Sequence, residues 1–134
     1  MEIARAGEMN VSRIFCAEDD DLLREVLVKL FTARGHLIVA VSNGTEAWSL
    51  LATNAQQYDV IVSDHQMPGL SGLALVERLR GSGYAGRIVI YSSSISSALA
   101  AVYRGFGVSA IVPKSSRPDQ LIASVEAQAS GLNP

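Results

Sequence analysis

Five short apolar runs mark out the 134-residue chain: RIFCA (13–17), LIVAV (37–41), DVIVS (59–63), RIVIY (87–91) and SAIVP (109–113). They are unbroken rather than alternating, and rich in Val and Ile. A strand with one wet face shows a two-residue alternation, so continuous runs of this length predict strands covered on both faces, as in a parallel sheet. Between the runs the period changes. Leu22, Leu23, Val26, Leu27, Leu30 and Phe31 fall on one face of a helix that Gly35 is placed to end. Ala47, Trp48, Leu50 and Leu51 mark a second helix after Asn43-Gly44, and Leu73, Val76 and Leu79 a third. Ala98, Leu99, Val102 and Tyr103 mark a fourth, and Leu121, Ile122 and Val125 a fifth that begins after Pro118 and Asp119. Strict alternation of five strands with five helices predicts an α/β fold: a doubly wound five-stranded parallel sheet with helices on both faces.

In such a sheet ligands bind beyond the carboxyl ends of the strands. The residues delivered there are Glu18, Asp19 and Asp20 after the first run, Asp64 after the third, Ser92 after the fourth and Lys114 after the fifth. Carboxylates from two neighbouring strands repel unless a positive charge lies between them. A hard divalent cation with oxygen ligands fits, and Mg²⁺ takes one or two carboxylates together with waters and a phosphate. Lys114 adds a second positive charge and Ser92 a hydroxyl donor, which together suit a transferring phosphoryl group.

Composition narrows the classes around this site. With 49% hydrophobic and 18% charged residues and a length suited to one domain, the chain reads as a single globular unit. A net charge of -2 with interspersed signs gives no basic stripe for nucleic acid or membrane surfaces. The lone Cys16 cannot form an intramolecular disulfide, and no apolar run approaches a membrane span, so the expected location is the cytoplasm. The expected organisation is a polar N-terminal extension (1–11), one domain (12–130) and a C-terminal tail (131–134).

The segments CAEDDD, VIVSDHQMPGLSG, IVIYSS and AIVPK, in this order and each at a strand end, resemble the receiver domain of two-component response regulators, of the single-domain chemotaxis-regulator type. That resemblance implies the flavodoxin-like strand order 2-1-3-4-5. It implies Asp64 as a phosphoacceptor taking a phosphoryl group from a histidine kinase or a phosphotransfer protein, with Ser92 and Lys114 contacting phosphoryl oxygens. It implies a Mg²⁺ site of Glu18, Asp19, Asp64 and the backbone carbonyl of Gln66. Output would pass to a downstream protein partner through the face of the fourth helix, fifth strand and fifth helix, with a homodimer left open. The only catalysis implied is the domain's own phosphorylation and dephosphorylation, so the chain is not expected to be an enzyme.

The sequence departs from the family pattern in places. Ser115 follows the lysine where proline is usual, and a cis bond before a non-proline residue costs about 3–4 kcal/mol. Pro113 precedes it, which suits an edge strand. Ile111 holds the position where an aromatic switch residue is common, so coupling is expected to run through Ser92 and the loop after it. The first acid is Glu18 rather than Asp. Other residues have plainer readings: Asp20 as a helix-start residue, Cys16 and Trp48 as core, His65 as a packed loop residue, and GSGYAG as a flexible loop. Three other functions remain in view. A pseudo-receiver would bind partners independently of phosphate, and Ile111 and Ser115 favour it slightly. A small Mg²⁺-dependent phosphatase needs a second acid shortly after Asp64, where Gln66 stands. Flavin binding is opposed by the acids after the first strand.

Overall fold

The computed structural model describes residues 11–130. Apart from Val11, the N-terminal extension lies outside the described residues, as does the 131–134 tail. Five strands, β1 (Arg13–Ala17), β2 (Leu37–Val41), β3 (Val60–Ser63), β4 (Arg87–Ser92) and β5 (Ala110–Pro113), form one parallel sheet in the order β2-β1-β3-β4-β5. Helices α1 (Asp21–Ala33), α2 (Gly44–Asn54), α3 (Gly72–Gly81), α4 (Ser97–Gly105) and α5 (Pro118–Ala129) alternate with them, and a 3₁₀ turn (Ala55–Gln57) follows α2.

The strands' two-residue period divides the core in two. Ile14, Cys16, Val60, Val62, Val89 and Tyr91 meet α1 and α5 through Leu27, Phe31, Leu121 and Val125. Phe15, Ala17, Ile61, Ile88 and Ile90 meet α2, α3 and α4 through Ala47, Leu51, Leu75, Leu79 and Tyr103. Four helices start on side-chain caps: Asp20, Asn43, Ser71 and Ser96 each accept from a backbone N–H three residues on, and Pro118 opens the fifth. Gly35, at φ 91°, ends the α1 segment as its position suggested.

Two expectations need correction. β2 is not covered on both faces: Leu37 and Val39 are exposed, because β2 has only β1 as a neighbour. GSGYAG is an anchored loop rather than a flexible one. Tyr84 within it is buried, and the Arg80 guanidinium donates to the carbonyls of Tyr84 (2.8 Å), Gly86 (3.0 Å), Phe106 (2.7 Å) and Gly107 (3.0 Å). One side chain thus ties the end of α3 to the turns before β4 and β5. Arg80→Met keeps the aliphatic stem but removes every donor; from the usual value of charge-assisted bonds it should cost about 2–3 kcal/mol in urea unfolding. A loss within measurement error would contradict this role.

A second cross-element tie closes the α1–α5 side. Glu126 of α5 accepts from Arg34 at 2.6 and 2.8 Å and pairs with the buried His36 at 2.7 Å, while His36 Nδ1 accepts from the Ser12 amide. The bond from Arg34 holds the Glu126 carboxyl below its ordinary value; partial burial opposes this and His36 reinforces it. A carboxyl depressed in the folded state adds stability above its unfolded value and loses it as pH falls through the folded value. Glu126→Gln should therefore lower the melting temperature by several degrees at pH 7. The gap from wild type should close below about pH 4.5, the ordinary glutamate value, as the native carboxyl takes up its proton. A pH-independent gap would refute the assignment.

Candidate functional site

Glu18, Asp64 and Lys114 each sit one step past a strand, with the amide still held by the neighbouring strand, whereas Ser92 is itself the last residue of β4. The Glu18 amide donates to Val41 O (3.0 Å), Asp64 to Ala17 O (3.1 Å) and Lys114 to Ser92 O (2.9 Å). The strand period puts Glu18 in phase with Cys16, Asp64 with Val62, and Lys114 with Val112, so all three leave the sheet on the same side. Their side chains meet. Lys114 Nζ lies 2.7 Å from Asp64 Oδ2 and 2.9 Å from Glu18 Oε1, and its ammonium stands 5.8 Å from the centre of the Tyr91 ring. Asp19 completes the acidic set: one carboxylate oxygen from each of Glu18, Asp19 and Asp64 lies within 4.8 Å of the others.

Burial sharpens the electrostatics. Glu18 is 1% exposed and Asp64 6%, whereas Asp19 and Asp20 are open to solvent. Burial raises the Glu18 carboxyl above its ordinary value, although the bonds from Lys114 and the Asp20 amide pull it back. Burial alone would lower Lys114; its bonds to Asp64 and Glu18 outweigh that and raise it, so the ammonium stays charged. Lys114, reaching across from β5, places the expected positive charge between Glu18 and Asp64 and so reduces their repulsion.

Around this centre a cleft of about 390 Å³ is lined by Asp19, Asp20, Asp64, Gln66, Ser92, Ser93, Ser94 and Lys114. It gathers the candidate residues of the β3, β4 and β5 ends with the exposed acids of the first turn; Glu18 lies beneath, bonded to Lys114. A larger cleft of about 450 Å³ beside α1, lined by Asp21, Arg24, Glu25, Val28 and Ala40, holds none of the strand-end residues. Asp20 is the α1 cap, its carboxylate accepting from the Leu23 amide at 2.9 Å.

The carboxylate set suits Mg²⁺ in its chemistry: all donors are oxygens, and two come from adjacent strands with room beside them for water. The Asp64 backbone is also held tightly. Ser63 Oγ donates to Asp64 O at 2.8 Å, and the Gly72 amide donates to His65 O at 2.7 Å. His65 does more than pack. Its Nδ1 lies 2.6 Å from the hydroxyl of Tyr103, a fully buried α4 residue that the sequence reading placed only on a helix face. Ile111 is partly buried against the same core, and the Lys114–Ser115 peptide is trans, as are all others among the described residues.

The model of the response regulator receiver domain family matches residues 14–126. The chain belongs to that family. Protein RcaC of Microchaete diplosiphon is 32% identical over 117 residues, which is 86% of this chain and 17% of that protein. Response regulator RppA of Synechocystis is 32% identical over 71 residues, 53% of this chain and 30% of that protein. The receiver thus spans less than a third of the length of these curated relatives. Among solved structures, the receiver domain of the Francisella response regulator 1452 superposes with a TM-score of 0.82 at 27% identity, covering 91% of this chain and 99% of that one. A two-component response regulator from Aurantimonas gives 0.79 at 31% identity, covering 90% and 86%. The sheet order and helix placement of this receiver are those expected of the family, and the chain is a signal-transduction module of two-component systems.

Proposed function

We propose that this receiver takes a phosphoryl group from a phosphohistidine on a sensor kinase or phosphotransfer protein onto Asp64, with Mg²⁺, and signals by changing its affinity for a protein partner. The observation that carries the reading is the Lys114 ammonium seated between Glu18 and Asp64 at the floor of an open cleft. Lys114 occupies Asp64 Oδ2, leaving Oδ1 to form the bond to phosphorus as the bond from phosphorus to the donor nitrogen breaks. Lys114 and the Ser92 hydroxyl then face the phosphoryl oxygens. Mg²⁺, held by Glu18, Asp19, Asp64 and the Gln66 carbonyl, would supply charge neutralisation to those oxygens.

The domain catalyses only its own phosphorylation and dephosphorylation in this reading. Gln66 and Ser94, two of the neutral groups lining the cleft, can orient a water but not deprotonate it, so the phosphorylated form persists. Among the described residues no helix is long and apolar enough to cross a membrane, in keeping with a cytoplasmic place for the pathway. The α4–β5–α5 face is the proposed docking surface for the downstream partner. The test is incubation with acetyl phosphate and MgCl₂, read by intact mass. Gain of one phosphoryl per chain, abolished by EDTA, supports the reading; no gain favours a phosphate-independent pseudo-receiver.

A further inference from the structure

Arg24 is not a strand-end residue, yet its guanidinium reaches the turn that carries two of them. Nη1 donates to the backbone carbonyl of Glu18 at 2.9 Å, and Nη2 pairs with Asp21 at 2.7 Å. These contacts differ in kind. The Asp21 side chain is 89% exposed, so that pair contributes little. The Glu18 contact is partly buried, and its donor is charged. The carbonyl it holds belongs to the Glu18–Asp19 peptide, whose orientation governs how the two carboxylates stand relative to each other. On one side of that peptide the Glu18 amide is held by Val41; on the other the Asp20 amide donates to Glu18 Oε2 at 3.0 Å. Arg24 holds the peptide between them.

We propose that Arg24 is a positioning residue for the cation site: by holding the Glu18 carbonyl, it fixes the Glu18–Asp19 peptide so that both carboxylates face Asp64. The proposal rests on the Mg²⁺ reading of those three acids. Its test has a built-in sign, because Arg24 acts on a cation in two opposite ways. As a positive charge near the acids it repels Mg²⁺, so neutralising it should tighten binding. As an orienting group outside the ligand set it favours Mg²⁺, and loss of such partners commonly weakens metal affinity about tenfold or more.

Calorimetric titration with MgCl₂ on the wild type, Arg24→Met and Arg24→Lys separates the two, with thermal melts run in EDTA and in MgCl₂. Positioning predicts that Arg24→Met binds about tenfold more weakly. Arg24→Lys, which keeps one donor but loses the fork, should fall between Arg24→Met and wild type. Tighter binding by Arg24→Met, with Arg24→Lys like wild type, overturns the proposal in favour of a repelling charge. Equal affinities in all three, with melting temperatures lowered alike in EDTA and MgCl₂, overturn it in favour of a purely structural role at the start of α1. If Arg24→Met does not fold, Arg24→Lys decides: affinity equal to wild type overturns the proposal, and weaker affinity upholds it. Absence of Mg²⁺ binding by the wild type would overturn the cation reading itself and this proposal with it. Wild-type binding with unaltered variants removes Arg24 alone.

Discussion

Asp64→Asn is expected to take up no phosphoryl group from acetyl phosphate under conditions in which the wild type should gain one per chain. The amide is nearly the same size, so the Gly72, Ser63 and Ala17 bonds to the surrounding backbone remain, and the fold should persist. What it loses is the anionic oxygen that attacks phosphorus. Three other acids stand nearby, and the geometry argues against each. Glu18 is buried beneath Lys114, while Asp19 and Asp20 lie exposed and have no ammonium bonded to them. Asp20 is further committed to capping α1. The measurement is intact mass followed by peptide mapping. Phosphate found on any aspartate of the Asp64→Asn protein would show that the acceptor was misassigned. Lys114→Met in the same assay should retain the acceptor yet lose most uptake, because removing one preorganised charge contact to a transferring group typically costs about 10²–10³ in rate.

Gly72→Ala is expected to damage the fold beside Asp64. A Cβ on Gly72 would collide with the Asp64 carbonyl oxygen, lie 2.9 Å from His65 Cα and stand 3.0 Å from the Tyr103 hydroxyl. The first two are backbone atoms of the Asp64–His65 segment, itself fixed to β1 by the Asp64 amide, so no side-chain rotation relieves the contact. Overpacking of this kind costs about 3 kcal/mol. The natural control is Gly81 at the other end of the same helix. An added Cβ there meets nothing within 4 Å, and Ala at a helical position is favoured over Gly by about 0.5–1 kcal/mol. Urea unfolding should move in opposite directions for the two variants. Equal effects would mean that α3 does not approach Asp64 as described.

The order of elements and the identity of the strand-end residues were legible because both depend on local chemistry. A Val- and Ile-rich run defines a strand, and a period of two decides which neighbours share a side; Glu18, Asp64 and Lys114 follow from nothing more. Contacts between distant elements could not be read in this way. Arg80 looks like an ordinary cation in the last turn of α3, and nothing near it in the chain announces the carbonyls of Phe106 and Gly107. Tyr103 carries helical spacing but no mark of its bond to His65, 38 residues away. The glycines of GSGYAG suggested freedom because composition does not show that Arg80 and the burial of Tyr84 hold the loop. The exposure of Leu37 and Val39 was hidden for a related reason: an edge strand and a central strand can have the same apolar composition, and only the neighbours differ.

Cys16 has a practical use. It lies in the middle of β1 between Ala40 and Val62, and burial, reinforced by the nearby Glu18, pushes its thiol up to about 12. A maleimide or disulfide reagent finds neither access nor thiolate in the native protein. Because it is the chain's only sulfhydryl, a cysteine introduced on the surface of α4 or α5 could carry a fluorophore or spin label without background labelling. Left alone, Cys16 becomes a clock: its rate of modification counts how often the central sheet opens, and the same reading with MgCl₂ present would report how much a bound ion slows that opening.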